Sequence, residues 1–308
     1  MIRLFNIDDS KANPLWLAFF RCSVSLICLL HFIAIQPDFD TIFSQNAIVP
    51  PDLLHAYNTF RFQVFPSVYD IDHFVAHILP VSYGQVLLTV RILYPLSLTA
   101  LLIGFVPRLS ALLSLLLQLV VISSMDVYNY GVDVFTTMAL FYCIICPVGN
   151  MYSIQNYLSK KPILLRGHAK YLQVIRGHIC MAYFFSGFEK LLGPNWRNGE
   201  SIWKMVHGYN HYDFFNLDFL YTTPFFLVTG WATIMLEMLY PVFINISKTR
   251  TAWLWATVSF HVLIALFMGL YFFSAVMIVF NLTCYYVPFI KVAVELKKRN
   301  VREAVLAG

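Results

Sequence analysis

Two stretches of this chain place ionisable and small residues at helical spacing inside otherwise apolar runs. Between 171 and 192, Arg176, Cys180, Tyr183, Gly187 and Lys190 recur at intervals of four and three, which puts them on one helical face. Between 225 and 246, Gly230, Thr233, Glu237 and Tyr240 do the same. Glu237 falls near the midpoint of "FFLVTGWATIMLEMLYPVFIN", too deep for its side chain to reach water, so it must be paired, hydrogen-bonded or protonated. A charge at bilayer depth costs about 3 kcal/mol on insertion scales, and such residues therefore tend to face a protein interior and mark function. Arg21, His31, Arg91, His178 and His261 also lie in apolar runs.

Burial penalises an ammonium relative to the amine, so a lysine enclosed beside Ser186 and Gly187 is a candidate general base. The Gly-Pro break that opens "GPNWRNGESIW" can fold back across Lys190 and enclose it. The blander reading leaves Lys190 at the outer end of its helix, snorkelling to the headgroups. Two stripes of polar and small residues can meet around a pocket. The same residues also allow a plain ion pair, Arg176 or Arg91 with Glu237, that only fixes helix register. Metal ligation has weaker support: His207 and His211 in "HGYNHYD" are four apart, but Gly208 and Asn210 disfavour the helix that would align them.

The elements that must position these groups are membrane helices. Of 308 residues, 59% are hydrophobic and only 12% charged, more apolar surface than a soluble core can bury. A span needs roughly 20 apolar residues. Eight runs qualify, near 15 to 35, 83 to 104, 109 to 124, 131 to 147, 171 to 192, 225 to 246, 252 to 268 and 270 to 290; the third and seventh are short. The fold class expected is an all-α integral membrane bundle of about eight helices. Arg3 and Lys11 precede the first run, but Asp8 and Asp9 and the absence of a small-residue cleavage site make it a span rather than a secretory signal.

Placing the N terminus inside puts Lys160, Lys161, Arg166, Lys170, Lys248, Arg250 and the tail "KKRNVRE" on the cytoplasmic side, and only Arg61, Arg197 and Lys204 opposite. Both termini are then cytoplasmic. The net charge of +5 reflects this topology and contact with anionic membrane lipid, and gives no reason to invoke nucleic acid. The chain reads as a single domain, 1–308, with outer segments 36–82 and 193–223 and a basic cytoplasmic tail, 291–308. The first outer segment is expected on the membrane surface or capping the bundle; the second is an aromatic belt or a lid. Cys22, Cys28, Cys143, Cys146, Cys180 and Cys284 all fall in predicted spans and read as packing residues. No inverted repeat supports a transporter.

"YFFSGFEKLLGPNWRNGESIW" resembles the fifth-helix segment of the membrane domain of vitamin K-dependent gamma-carboxylase and of its bacterial relatives, the HTTM (horizontally transferred transmembrane) family. In the same order along the chain, "LWLAFFRCSVSLICLLHF" is similar to the family's first helix. "VYNYGVDVF…CPVGNMYSI" is similar to its Asn/Gly loop and Pro-x-Gly exit, and "MLEMLYPVF" and "SFHVLIALFMGLYFFS" to its later helices. The resemblance covers roughly 14 to 290. It implies an integral membrane enzyme using a lipid quinol, vitamin K-like, or a similar hydrophobic reductant. Lys190 stands at the lysine proposed to deprotonate the quinol. Arg176, Tyr183, Gly187, Glu237, Tyr240, His261, Asn129 and Tyr130 would be supporting pocket residues, with a peptide or small-molecule substrate reached from the outer face of a prokaryotic plasma membrane.

Two departures matter. The carboxylase has a large lumenal domain after its membrane helices, whereas this sequence runs to Gly308, and Tyr130 stands near the position of a functionally implicated histidine. Full carboxylase activity is not expected. The broader family also includes the membrane component of sporulation-delaying-protein systems, so the alternative is a non-enzymatic partner in peptide-toxin maturation, export or immunity.

Overall fold

The computed structural model describes residues 12–61, 64–159, 167–207, 218–220 and 223–290. Its helices are α1 (Leu15–Ile35), α2 (Phe39–Phe43), α3 (Pro51–Phe60), α4 (Val68–Ala76), α5 (Tyr83–Ile103), α6 (Pro107–Ser124) and α7 (Gly131–Ile145), followed by α8 (Ile154–Ser159), α9 (His168–Leu192), α10 (Pro194–Arg197), α11 (Glu200–Val206), α12 (Phe225–Phe243), α13 (Arg250–Met268) and α14 (Tyr271–Tyr285). Among the described residues there is no strand. Among the described residues six segments are long and apolar enough to cross a membrane: Leu15–Phe43, α5, α6, α12, α13 and Tyr271–Phe289. The other two expected spans also form helices. α7 has 15 residues, about 22 Å at 1.5 Å per residue and short of a 30 Å hydrocarbon layer. α9 has 25 residues and ample length, but its polar residues lower its mean hydropathy.

Packing divides the chain into two compact units, 17–164 and 165–308 with 1–16. In the first, α5 and α6 form a hairpin. Gly104 closes α5 in the left-handed region (φ 75°), where a Cβ would lie 2.4 Å from that of Ser153. Tyr94 of α5 hydrogen-bonds Gln118 of α6, whose amide donates to Thr136 of α7 (3.0 Å), so three helices share one polar ladder. Arg21 of α1 is 1% exposed and donates to the carbonyls of Val148 (2.8 Å), Met151 (3.1 Å) and Tyr152 (2.5 Å), tying down the turn after α7. The segment 36–82 caps a helix end: Asn58 donates to Ser123 O (2.8 Å), and Ser124 Oγ accepts from Val68 N (2.8 Å). Partial burial acts to raise Asp70 in the α4 cap. The bonds from Ser67 and the neighbouring His55 outweigh it and hold the carboxyl below its usual range.

In the second unit α9 and α12 form the most extensive helix pair. Gly187 is the reason they approach so closely. A Cβ there would sit 2.7 Å from Met238 N and 2.9 Å from Glu237 Cβ, closer than real side-chain contacts allow. Gly230 of α12 plays the same part against α10, where a Cβ would lie 2.4 Å from Trp196 O. α13 and α14 form a second hairpin through Gly269 (φ 67°). All six cysteines are free, and five are buried.

Two glycines of α9 separate intrinsic helix preference from packing. Gly177 has open space in its Cβ direction, so Gly177→Ala is expected to raise stability by about 0.5 to 1 kcal/mol. Gly187→Ala forces the α9–α12 seam apart and is expected to cost on the order of 2 kcal/mol. Thermal unfolding in nanodiscs checks both, and equal effects at the two positions would contradict the close-approach role of Gly187.

Candidate functional site

The buried polar face of α9 meets its partners at three levels. At the level nearest the helix start, Arg176 is 2% exposed and donates through Nε (2.8 Å) and Nη2 to the carbonyl of Cys284. Its guanidinium lies 4.6 Å from the Tyr285 ring centroid. Cys284 sits at the end of α14, where helical carbonyls lack intrahelical donors, so Arg176 closes a helix terminus. One turn on, Cys180 contacts Tyr285 Oη (3.4 Å) and accepts from Asn245 Nδ2 (3.5 Å).

The middle level is a hydrogen-bonded network on four helices. Asn281 of α14 donates from Nδ2 to Tyr183 Oη (2.8 Å) and to Met277 O (2.9 Å), and its Oδ1 accepts from Tyr240 Oη (2.8 Å). Tyr183 and Tyr240 stack with centroids 4.1 Å apart. Tyr183 Oη lies 2.7 Å from His261 Nε2. With Asn281 donating to Tyr183 Oη, the assignment that also satisfies the tyrosine O–H has it donate to His261, with Nε2 as the unprotonated ring nitrogen. The neutral imidazole then carries its hydrogen on Nδ1. That atom is buried and has no hydrogen-bond partner among the described residues. His261 itself is 2% exposed, so in this tautomer its N–H is held inside the unit without an acceptor among the described residues.

The third level is the ion pair. Lys190 Nζ lies 2.7 Å from Glu237 Oε2 and donates to Ser186 Oγ (2.6 Å). The side chains are 18% and 7% exposed. Trp196, from the segment after the Gly-Pro break, covers the ammonium with its ring centroid 5.1 Å away. Position along the chain misleads here. Lys190 is two residues from the end of α9, whereas Glu237 is twelve residues into α12. With Gly187 level with Glu237, α12 runs about 10 Å beyond α9, beside α10 and α11. The lysine therefore turns inward to the carboxylate instead of snorkelling. The partner of Glu237 is Lys190, and not Arg176 or Arg91, because each arginine has its own acceptors: Cys284 O for Arg176 and Gln36 Oε1 (2.8 Å) for Arg91.

Lys190, Gly187, Tyr183, Glu237, Tyr240 and His261 are thus gathered in one unit, with Arg176 on the same helix face. Asn129 and Tyr130 belong to the other unit. There Asn129 Nδ2 donates to Ile122 O (3.1 Å) and Asp126 Oδ1 (3.2 Å), and the Tyr130 backbone N–H is capped by Asp133 Oδ2 (3.0 Å). Sequence reasoning missed Asn281, which orients the whole middle level; the signal was an amide inside the apolar run "VMIVFNLTCYY". Among the described residues no group of three or more His, Cys, Asp or Glu side chains could hold a metal ion, and His211 lies outside them. Compared with known proteins, the chain matches no family model, no curated protein and no solved structure.

The tautomer is directly testable. In selectively labelled protein the nitrogen shifts of His261 are expected to report protonation at Nδ1 only, and Tyr183→Phe to remove the Nε2 hydrogen bond and mix the tautomers. An Nε2-protonated ring in the wild type would contradict the network.

Proposed function

We propose that this chain is an integral membrane enzyme of the gamma-carboxylase-like HTTM type, in which Lys190, paired with Glu237, is the general base toward a lipid quinol or a similar hydrophobic reductant. The observation that carries the reading is the enclosed Lys190–Glu237 pair, roofed by Trp196, in the same unit as a buried histidine donor with no acceptor. A quinol-type ring fits this donor set: its hydroxyl needs a base, and its oxygens accept hydrogen bonds such as one from His261 Nδ1. When bound, such a group supplies the reducing equivalents.

The residues handle the proton. Transfer from Lys190 Nζ to Glu237 Oε2 leaves a neutral amine beside a neutral acid, and the pair carries no net charge before or after. The amine lone pair can then accept a proton from a substrate hydroxyl, with Ser186 holding Nζ in place. Eight spans with both termini cytoplasmic, in a prokaryotic plasma membrane, complete the reading. The length of α9 and the bias of Lys and Arg between alternate loops support that topology, and in it the Lys190 level faces the outer side, where a peptide or small-molecule substrate would arrive. A second reading, a non-enzymatic partner in peptide-toxin maturation, export or immunity, is favoured by the completeness of the Lys190 pairing, which would serve equally as a register clamp.

Oxygen-dependent quinol consumption by the purified protein in nanodiscs separates the two. Wild type is expected to turn over, with Lys190→Ala lowering the rate at least 100-fold while remaining folded, and Glu237→Gln lowering it less. Absent turnover, or turnover indifferent to Lys190, would favour the partner reading.

A further inference from the structure

The unit 17–164 contains a groove that the proposed chemistry does not use. It lies where the first span ends and α5 begins, lined by Phe39, Asp40, Asn46, Tyr83, Leu88 and Arg91 among others, and is an open depression of about 430 Å³. Both chain segments change there from apolar helix to polar connection, as a candidate span does where it meets the headgroups. Its two charges are arranged unusually. Arg91 is held by Gln36 through Nε (2.8 Å), with its guanidinium 4.3 Å from the Phe39 ring centroid. Among the described residues its remaining N–H groups have no hydrogen-bonded acceptor. Asp40 is the nearest anion, but its Oδ1 stands 3.9 Å from Nη1, beyond hydrogen-bond range, and its side chain is 82% exposed. The groove thus offers a fixed cation beside an exposed anion that pairs with it only at 3.9 Å, with Leu88 (53% exposed) leading from them onto the outer surface of α5.

We propose that this groove binds the zwitterionic headgroup of an aminophospholipid. Its phosphate takes the open guanidinium edge of Arg91, its primary ammonium takes Asp40, and an acyl chain follows Leu88. Guanidinium N–H pairs match phosphate oxygens in geometry as well as charge. A headgroup without an amine would leave Asp40 facing a phosphate, and a quaternary amine could not donate to it. The volume lies within the range of small-molecule sites. The inference depends on the membrane location of the chain and is independent of any role for Lys190.

Native mass spectrometry of the delipidated full-length chain, titrated with phosphatidylethanolamine, phosphatidylglycerol and free phosphorylethanolamine, tests the proposal. One phosphatidylethanolamine per chain is expected to bind at least tenfold more tightly than phosphatidylglycerol, and free phosphorylethanolamine far more weakly than the lipid. Asp40→Asn is expected to abolish the preference between the two lipids, and Arg91→Gln to weaken both at least tenfold. Gly84 also lines the groove and has open space in its Cβ direction, so Gly84→Phe fills it without touching either charge and should block binding. Wild type that does not distinguish the two lipids, or a Gly84→Phe variant that retains phosphatidylethanolamine, would overturn the proposal. Free phosphorylethanolamine binding as tightly as the lipid would overturn the lipid as its source.

Discussion

A carboxylate in the middle of an apolar helix has to be neutralised within the protein, and the unit built from α9 to α14 is organised around that requirement. Glu237 can reach Lys190 because Gly187 lets α9 and α12 approach to a distance that any side chain would prevent. The close seam in turn sets the stagger of the two helices, and the stagger leaves room beyond the end of α9 for α10 and α11. Gly230 then admits the backbone of Trp196, whose ring covers the ammonium. One electrostatic demand therefore accounts for two glycines, a helix break and an aromatic roof.

The buried arginines meet the same demand differently. Arg21 and Arg176 are both almost fully buried, and both spend their donors on backbone carbonyls at turns or helix ends. That arrangement holds each cation without a carboxylate partner, although the Nε of Arg21 finds no acceptor among the described residues. Lys190 and Glu237 differ because two titratable groups of opposite charge face each other at 2.7 Å, the carboxylate almost fully buried. His261 differs again: Nε2 is engaged by Tyr183 on one side, while Nδ1 is open on the other. Arg91 keeps part of its donor edge directed at the groove.

Much of this architecture is legible in the sequence, and the gaps have physical causes. The four-and-three spacing from Arg176 to Lys190 does place one buried face on α9, and the stripe from Gly230 to Tyr240 does meet it. The segment after the Gly-Pro break does fold back over Lys190. The pairing of Glu237 was not legible, because position along a helix gives depth only when the stagger between helices is known, and the stagger depends on Gly187. Nor was Asn281, since a single amide in an apolar run carries no periodicity. α9 shows the limit of composition: its polar residues depress its hydropathy because neighbouring helices, rather than lipid, surround that face.

The most direct test is a double-mutant cycle on thermal stability in nanodiscs, using Lys190→Met, Glu237→Leu and the pair. Removing one partner of a buried ion pair strands the other charge and typically costs about 3 to 5 kcal/mol, while replacing both with apolar residues is close to neutral. Each single substitution is therefore predicted to destabilise strongly and the double variant less than either, with a coupling of more than about 2 kcal/mol. Additive losses would show that the two side chains do not depend on each other, and would contradict the account.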